Sequence, residues 1–130
     1  MGEQEHIQKL KNIYAAFGRG DIPYILSQLP PNVKWVSHFD PVVPWAGDFT
    51  GHIQDFFLAI DETVEIESFE PGDFVAQGDI VVSLGYFGCK SKATGKSART
   101  SWAFVWRFQD GNIVSYEQFH DPALALIFRN

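Results

Sequence analysis

The sequence predicts an α+β domain with an antiparallel sheet. Helical patterns fill the first third of the chain, whereas the second half contains one long strand pattern after another. Helices followed by a series of strands are typical of this fold class. With 130 residues, the chain matches the size of one domain, and we predict a single domain over residues 1–130. Hydrophobic residues make up 45% of the sequence and charged residues 20%, which excludes a disordered chain.

The predicted helices follow from apolar residues at steps of three and four. One such stripe predicts a first helix over Glu3–Phe17. Asp21 can cap a short second helix, with Pro23 in its first turn, where the missing N–H has no cost. The same periodicity predicts a third helix over Ile53–Ile60.

The predicted strands are bounded by turn residues. Val33–Ser37 forms the first strand, and a loop rich in Pro, Gly and large apolar residues follows from His38 to Gly51. Gly-containing turns separate most of the later segments. The later strands are predicted at Val64–Phe69, Asp73–Gln77, Ile80–Lys90, Ser97–Phe108 and Asn112–His120.

The Asp110-Gly111 pair is the strongest local signal in the sequence. An Asp-Gly pair between apolar strands is typical of a two-residue type I′ hairpin, which would pair Gln109 with Asn112 and fix the register of both strands. Paired residues share a face of the sheet. One face then carries Trp102, Phe104, Trp106, Phe108, Ile113, Glu117, Phe119 and Asp121. The other carries Ala103, Val105, Arg107, Val114, Tyr116, Gln118 and His120.

The first of these faces is too apolar for water, so we expect it to be the concave face that covers the helices. Two carboxylates, Glu117 and Asp121, then lie on an aromatic wall. A buried, unpaired carboxylate has a raised pKa, which suits a general acid or base. The alternatives are that Glu117 pairs with a cation such as Arg99 or caps a loop, and that Asp121 only caps the turn before Pro122.

Charge and cysteine content exclude several classes of protein. Ten basic against sixteen acidic side chains give a net charge of −6, which argues against a nucleic-acid partner. No apolar run approaches the roughly 18 residues of a membrane span, so we expect no membrane partner. The single cysteine, Cys89, excludes an internal disulfide and fits a reducing compartment, from which we predict a cytoplasmic location.

Metal and cofactor patterns are missing from the sequence. The four histidines have no zinc-binding spacing, and no Gly-rich phosphate loop precedes a helix, so we expect neither a metal nor a nucleotide cofactor. The aromatic content is high, with 12 Phe, 4 Trp and 4 Tyr. It indicates either a pocket or buried interface, or an aromatic-rich core.

Four segments together carry a family resemblance: Tyr14–Asp21, Trp45–Gly51, Phe104–Val114 and Tyr116–Asp121. In order and spacing they resemble the SnoaL-like branch of the superfamily that includes nuclear transport factor 2 and ketosteroid isomerase. The resemblance implies a cone, in which a strongly curved antiparallel sheet wraps three N-terminal helices around an apolar pocket. It also implies that two such cones dimerise through their sheets.

The resemblance implies site residues as well. Polyketide cyclases of this kind use an aspartate at the end of the final strand as acid/base, and Asp121 occupies that position. Ketosteroid isomerases use an aspartate after the first strand, which Asp40 resembles, and a tyrosine of the first helix, for which Tyr14 is a candidate. Our catalytic candidates are therefore Asp121, Asp40 and Tyr14.

These observations lead to a hypothesis and an alternative. The hypothesis is an isomerase- or cyclase-like enzyme in which Asp121 acts on a small, apolar, carbonyl-bearing substrate. The alternative is a cone of the same fold that binds a ligand or a partner without catalysis. The predicted substrate-binding residues are Trp35, His38, Trp45, Trp102, Phe104, Trp106, Glu117 and Phe119. We also predict a homodimer through the convex sheet face that carries Ala103, Val105, Val114 and Tyr116.

Overall fold

A computed structural model describes residues 2–129. It contains three α-helices: α1 (Glu3–Gly18), α2 (Ile22–Ser27) and α3 (Ile53–Thr63). The six strands of the described residues are β1 (Lys34–His38), β2 (Gly47–Asp48), β3 (Val64–Gln77), β4 (Ile80–Ser91), β5 (Ser97–Gln109) and β6 (Asn112–His120). A 3₁₀ helix over Pro122–Phe128 ends this part of the chain.

All six strands form one curved, open sheet in the order β2-β1-β6-β5-β4-β3. The pairing is antiparallel except between β1 and β6, which run parallel. Helices first and a largely antiparallel sheet afterwards confirm the predicted α+β class. The two strands predicted between Val64 and Gln77 are one continuous strand, β3, whose pairing with β4 is irregular at two places.

The helices begin and end largely where the sequence predicts. The apolar stripe of α1 buries Leu10, Ile13 and Tyr14 against the sheet. The side chain of Asp21 caps α2 by accepting a hydrogen bond from the backbone N–H of Tyr24 at 3.2 Å. The buried residues of α1 and α3 place these helices on the concave face of the sheet, where the hydrophobic core lies.

The hairpin of β5 and β6 starts in the predicted register and then leaves it. Phe108 pairs with Ile113 as predicted, but the next pair is Arg107 with Ser115. Val114 is therefore an extra residue on β6, which makes a β-bulge. Because side chains alternate between faces with a period of two, one extra residue moves every later side chain of β6 to the opposite face.

The bulge reverses the predicted orientation of the β6 side chains that follow it. Tyr116, Gln118 and His120 point to the concave side, where Tyr116 and Gln118 are 3% exposed. Glu117 and Phe119 point outward, and Phe119 is 43% exposed. The face of β5 is unaffected, and its four predicted aromatic residues (Trp102, Phe104, Trp106 and Phe108) are all buried.

The structure places Asp121 outside the concave face. Its side chain is exposed, and its Oδ1 accepts a hydrogen bond from the backbone N–H of Ala123 at 2.9 Å. It thus caps the C-terminal 3₁₀ helix and borders an outer-face groove with Leu84 and Phe119. The prediction that Asp121 faces the pocket is wrong because the bulge shifts the end of β6, and the capping alternative is the one the structure shows.

The capping role of Asp121 gives a stability prediction. We expect Asp121→Ala to lower the free energy of unfolding by about 1 kcal/mol, because the first turn of the 3₁₀ helix loses its side-chain acceptor. Asp121→Asn keeps an acceptor oxygen and is expected to lose less. Urea denaturation of the three proteins at pH 7 measures both differences. Equal stability of wild type and Asp121→Ala would contradict a capping role.

Candidate functional site

The helices and the concave face enclose a cavity of about 60 Å³, called the aromatic cavity below. Sixteen residues line it, and most of them are Phe, Tyr or Trp. Four of the predicted substrate-binding residues are among them: Trp35, Trp45, Phe104 and Trp106. The lining contains no Asp, Glu, Lys or Arg among the described residues.

The other predicted substrate-binding residues lie outside this cavity. Trp102 is behind the lining, stacked on Phe104 with ring centroids 3.7 Å apart. His38, Glu117 and Phe119 belong to the outer side, where the His38 and Phe119 rings stack at 4.6 Å. The prediction that these three residues line the pocket was wrong: the bulge turns Glu117 and Phe119 outward, and His38 follows the buried Ser37 on β1 and therefore faces the other side.

Glu117 is an ion-pair residue of the outer surface. Its Oε2 lies 2.7 Å from Nε2 of His38, and its Oε1 lies 3.5 Å from Nζ of Lys34. The hydrogen bond with His38 is the main cause that lowers the pKa of the Glu117 carboxyl. The alternative that Glu117 pairs with a cation is correct, although Arg99 pairs instead with Glu70 at 2.7 Å.

Asp40 is also outside the aromatic cavity. Its Oδ2 pairs with Nη2 of Arg129 at 2.5 Å, and its Oδ1 accepts a hydrogen bond from the backbone N–H of Val42 at 2.9 Å. These contacts fasten the C-terminal 3₁₀ helix to the loop after β1. Asp40 is exposed and does not line the cavity, so its contacts support a role in stability rather than in a catalytic site.

Of the three catalytic candidates, only Tyr14 lines the cavity. Its hydroxyl accepts a hydrogen bond from Nε1 of Trp106 at 2.8 Å and lies 2.5 Å from Oγ of Ser83. Burial is the main cause that raises the pKa of the Tyr14 phenol, so this hydroxyl stays protonated at neutral pH.

A polar cluster that the sequence did not predict forms one end of the cavity. Gln118 is its centre: Oε1 accepts a hydrogen bond from Oγ of Ser37 at 2.9 Å, and Nε2 donates to the hydroxyl of Tyr116. Nε2 of His120 lies 3.0 Å from the same Oε1. The cluster crosses from β1 to β6 and joins polar groups to a cavity that is otherwise apolar.

His120 carries the free hydrogen-bonding atom of this cluster. Its Nδ1 is buried and has no hydrogen-bond partner within residues 2–129. The ring stacks on Phe39 with centroids 4.1 Å apart and approaches Phe104 at 5.9 Å. Burial lowers the pKa of His120 to about 3, so the imidazole is neutral at physiological pH.

One feature of the sequence could have revealed Gln118 and His120. The register from Asp110-Gly111 put two carboxylates, Glu117 and Asp121, among aromatic rings, where an unpaired charge is unfavourable. A shift of one residue turns both carboxylates outward and turns Gln118 and His120 inward. The carboxylates were therefore evidence for a bulge rather than for an acid or base.

Neither a metal-binding cluster nor a membrane-spanning helix is present among the described residues. No three His, Cys, Asp or Glu side chains in residues 2–129 are grouped so that they could hold a metal ion. Within the same range, no helix has the length and apolar character needed to cross a membrane.

The fold and the cavity together define a cone-shaped domain with an internal apolar pocket. The model of the SnoaL-like domain family matches residues 10–116. The chain belongs to this family, within the NTF2-like superfamily. No curated protein sequence matches it significantly.

Solved structures similar to this chain cover all or nearly all of its length. An NTF2-like protein from Burkholderia xenovorans is 29% identical, with a TM-score of 0.86, and covers 100% of this chain and 99% of its own. One of unknown function from Burkholderia pseudomallei is 28% identical, with a TM-score of 0.85, and covers 100% of both chains. TerC, co-crystallised with polyporic acid, is 26% identical, with a TM-score of 0.84, and covers 97% of this chain and 99% of its own.

Proposed function

We propose that the protein binds a small, uncharged, mainly apolar molecule in the aromatic cavity, with the polar group of that molecule against His120. The observation that carries the proposal is the unpartnered, buried Nδ1 of a neutral histidine at the end of an aromatic cavity. A buried polar atom without a partner has a free-energy cost, which a bound ligand can remove. Few polar groups in an apolar pocket are typical of small-molecule sites.

The lining favours an uncharged ligand. A charged group inside the cavity would lose its hydration without gaining an opposite charge, because none of the described lining residues is ionised at neutral pH. As a separate point on ligand type rather than charge, the co-crystal of TerC with polyporic acid supports a small organic ligand for a fold this similar.

The cavity is too small to admit a ring-sized ligand without movement of its walls. An apolar cavity that admits a benzene-sized molecule has a volume of about 150 Å³. The aromatic cavity, with about 60 Å³, must therefore widen when a ring-sized ligand enters. We expect the aromatic walls to supply this space by rotation of side chains, without a change of fold.

An isomerase or cyclase that acts on a carbonyl compound is the second candidate function. It is favoured by the presence of a free imidazole nitrogen and a protonated Tyr14 hydroxyl in the lining of the same cavity. In this arrangement His120 replaces Asp121 as the proton acceptor. Its low pKa makes it a weak base, which is why we place binding before catalysis.

Phenol is a suitable first probe for the binding proposal. We expect it to shift the indole N–H signals of Trp35 and Trp106 in a saturable manner in ¹H–¹⁵N NMR spectra, because both rings line the cavity. Removal of one hydrogen-bond partner has a cost of about 1 kcal/mol, so His120→Phe should weaken phenol binding about fivefold.

His38→Phe is the matched control, because His38 is an exposed histidine on the outer side. It should leave the affinity for phenol unchanged. Equal weakening by His38→Phe, or the lack of any saturable shift in the wild type, would contradict binding at His120. For the second candidate, deuterium exchange next to the carbonyl of cyclohexanone, faster with wild type than with His120→Phe, would indicate proton abstraction.

A further inference from the structure

Gln118 lies beside the proposed ligand site and is hydrogen-bonded to three polar side chains, including His120. It lies on β6 between Ser37 of β1 and Phe104 of β5, and it is 3% exposed. Its carboxamide contacts three polar side chains: Oε1 faces Ser37 and His120, and Nε2 faces Tyr116. Both polar atoms of the carboxamide are thus engaged by side chains, so we expect Gln118 to act on a ligand through its neighbours.

We infer that Gln118 is a positioning residue that holds His120 in the tautomer with hydrogen on Nε2, so that the cavity selects a ligand with a hydroxyl donor, such as a phenol or an enol. The ligand class rests on the proposed function, namely that the cavity binds a small molecule at His120. The tautomer does not depend on it and can be measured in the free protein.

The orientation of the Gln118 carboxamide determines which ring nitrogen of His120 carries the hydrogen. An amide oxygen only accepts hydrogen bonds, and an amide nitrogen only donates them. Because Nε2 of Gln118 donates to the Tyr116 hydroxyl, Oε1 is directed at Ser37 and His120. A histidine nitrogen at 3.0 Å from that oxygen must carry a hydrogen, since two acceptors would repel each other.

The tautomer of His120 determines which ligand group its Nδ1 can pair with. A neutral ring has one N–H, so a hydrogen on Nε2 leaves Nδ1 as an acceptor. That atom is buried and lacks a partner in the described part of the chain. A hydroxyl can donate to it, whereas a ketone or an ether offers only another acceptor. At Nδ1 of His120 the site therefore favours a donor, while Nε1 of Trp35, which also lacks a partner among the described residues and lines the cavity, can donate to the oxygen of the same hydroxyl.

NMR of the ligand-free protein tests the role of Gln118. In ¹H–¹⁵N spectra that correlate the carbon-bound ring protons with both ring nitrogens, we expect the Nδ1 signal of His120 to be that of an unprotonated nitrogen. Gln118→Met should give a mixture of tautomers, whereas Gln54→Met, at an exposed site on α3, should not. A protonated Nδ1 in the wild type would overturn the inference, even if the variant does not fold.

A comparison of phenol with anisole, its methyl ether, tests the ligand class. We expect wild type to bind phenol about tenfold more tightly than anisole, and Gln118→Met to show a ratio close to one. Equal binding of the two probes by the wild type would overturn the ligand class. If neither probe binds while His120 is in the Nε2–H tautomer, the proposed function fails and the positioning role of Gln118 is supported.

Discussion

Acidification is expected to destabilise this protein through His120. The pKa of the ring is about 3 in the folded chain, against an ordinary value of 6.5. Between these values the unfolded chain binds more protons than the folded one, so the free energy of unfolding falls as the pH decreases from about 6.5 towards 3. One pKa unit corresponds to about 1.4 kcal/mol, and because part of the residue reaches the surface we expect a total loss on the order of 2–4 kcal/mol.

Urea denaturation at pH 7.5 and pH 4.5 measures the part of this loss that falls above pH 4.5. His120→Phe removes the titrating group, so its stability should change less between the two pH values than that of the wild type. Glu117, whose pKa is lowered, also loses a favourable contact on acidification, but it does so in both proteins and cancels from the comparison. His52→Asn, at an exposed histidine, is the control and should retain the wild-type pH dependence. The same dependence in wild type and His120→Phe would show that His120 is not the source.

The sequence was sufficient for the elements and the fold class because their signals are local. The stripe of α1 and the Asp21 cap depend on residues within a few positions of one another. The Asp110-Gly111 turn also forms as predicted, with positive φ at both residues. The parallel pairing of β1 with β6 joins segments about 80 residues apart, and no local pattern specifies it.

The candidate site was predicted less well because one residue decides which side chains enter it. Val114, the extra residue of the bulge, is an ordinary strand residue, and nothing in its immediate neighbours indicates a bulge. Trp35, Phe104 and Tyr14, whose positions do not depend on the bulge, line the cavity, whereas His38 on β1 and Trp102 on β5 do not. Every prediction that depended on β6 beyond the bulge, Asp121 above all, was reversed.

The outer face of the sheet has a different apolar composition from the one the sequence predicted. Ala103, Val105 and Val114 belong to it, whereas Tyr116 is buried on the concave side. It gains Leu84, Tyr86 and Phe119, which are 44%, 45% and 43% exposed. An apolar patch of this kind, spread over three adjacent strands, is an association liability on a monomer. The patch therefore supports a partner even more strongly than the predicted residues did.

We propose that this partner is a second copy of the chain, since the outer face combines the apolar centre with charges of both signs at its margin, as a self-complementary interface requires. Arg99 lies over the ring of Tyr86 at 4.1 Å and pairs with Glu70, while Glu117 pairs with Lys34. We expect sedimentation velocity at micromolar concentration to give twice the chain mass of 14.7 kDa.

Leu84→Glu should convert the dimer to a monomer, because a homodimer with twofold symmetry would bury two unpaired carboxylates at its centre. Leu58→Glu is the matched control: Leu58 has the same 44% exposure as Leu84 but lies on α3, on the opposite side of the sheet. It should leave the dimer intact. A monomeric wild type would rule out the homodimer, and dissociation by Leu58→Glu as readily as by Leu84→Glu would place the interface elsewhere. Retention of both the α-helical and the β-sheet circular dichroism signals in the two variants separates loss of the interface from loss of the fold.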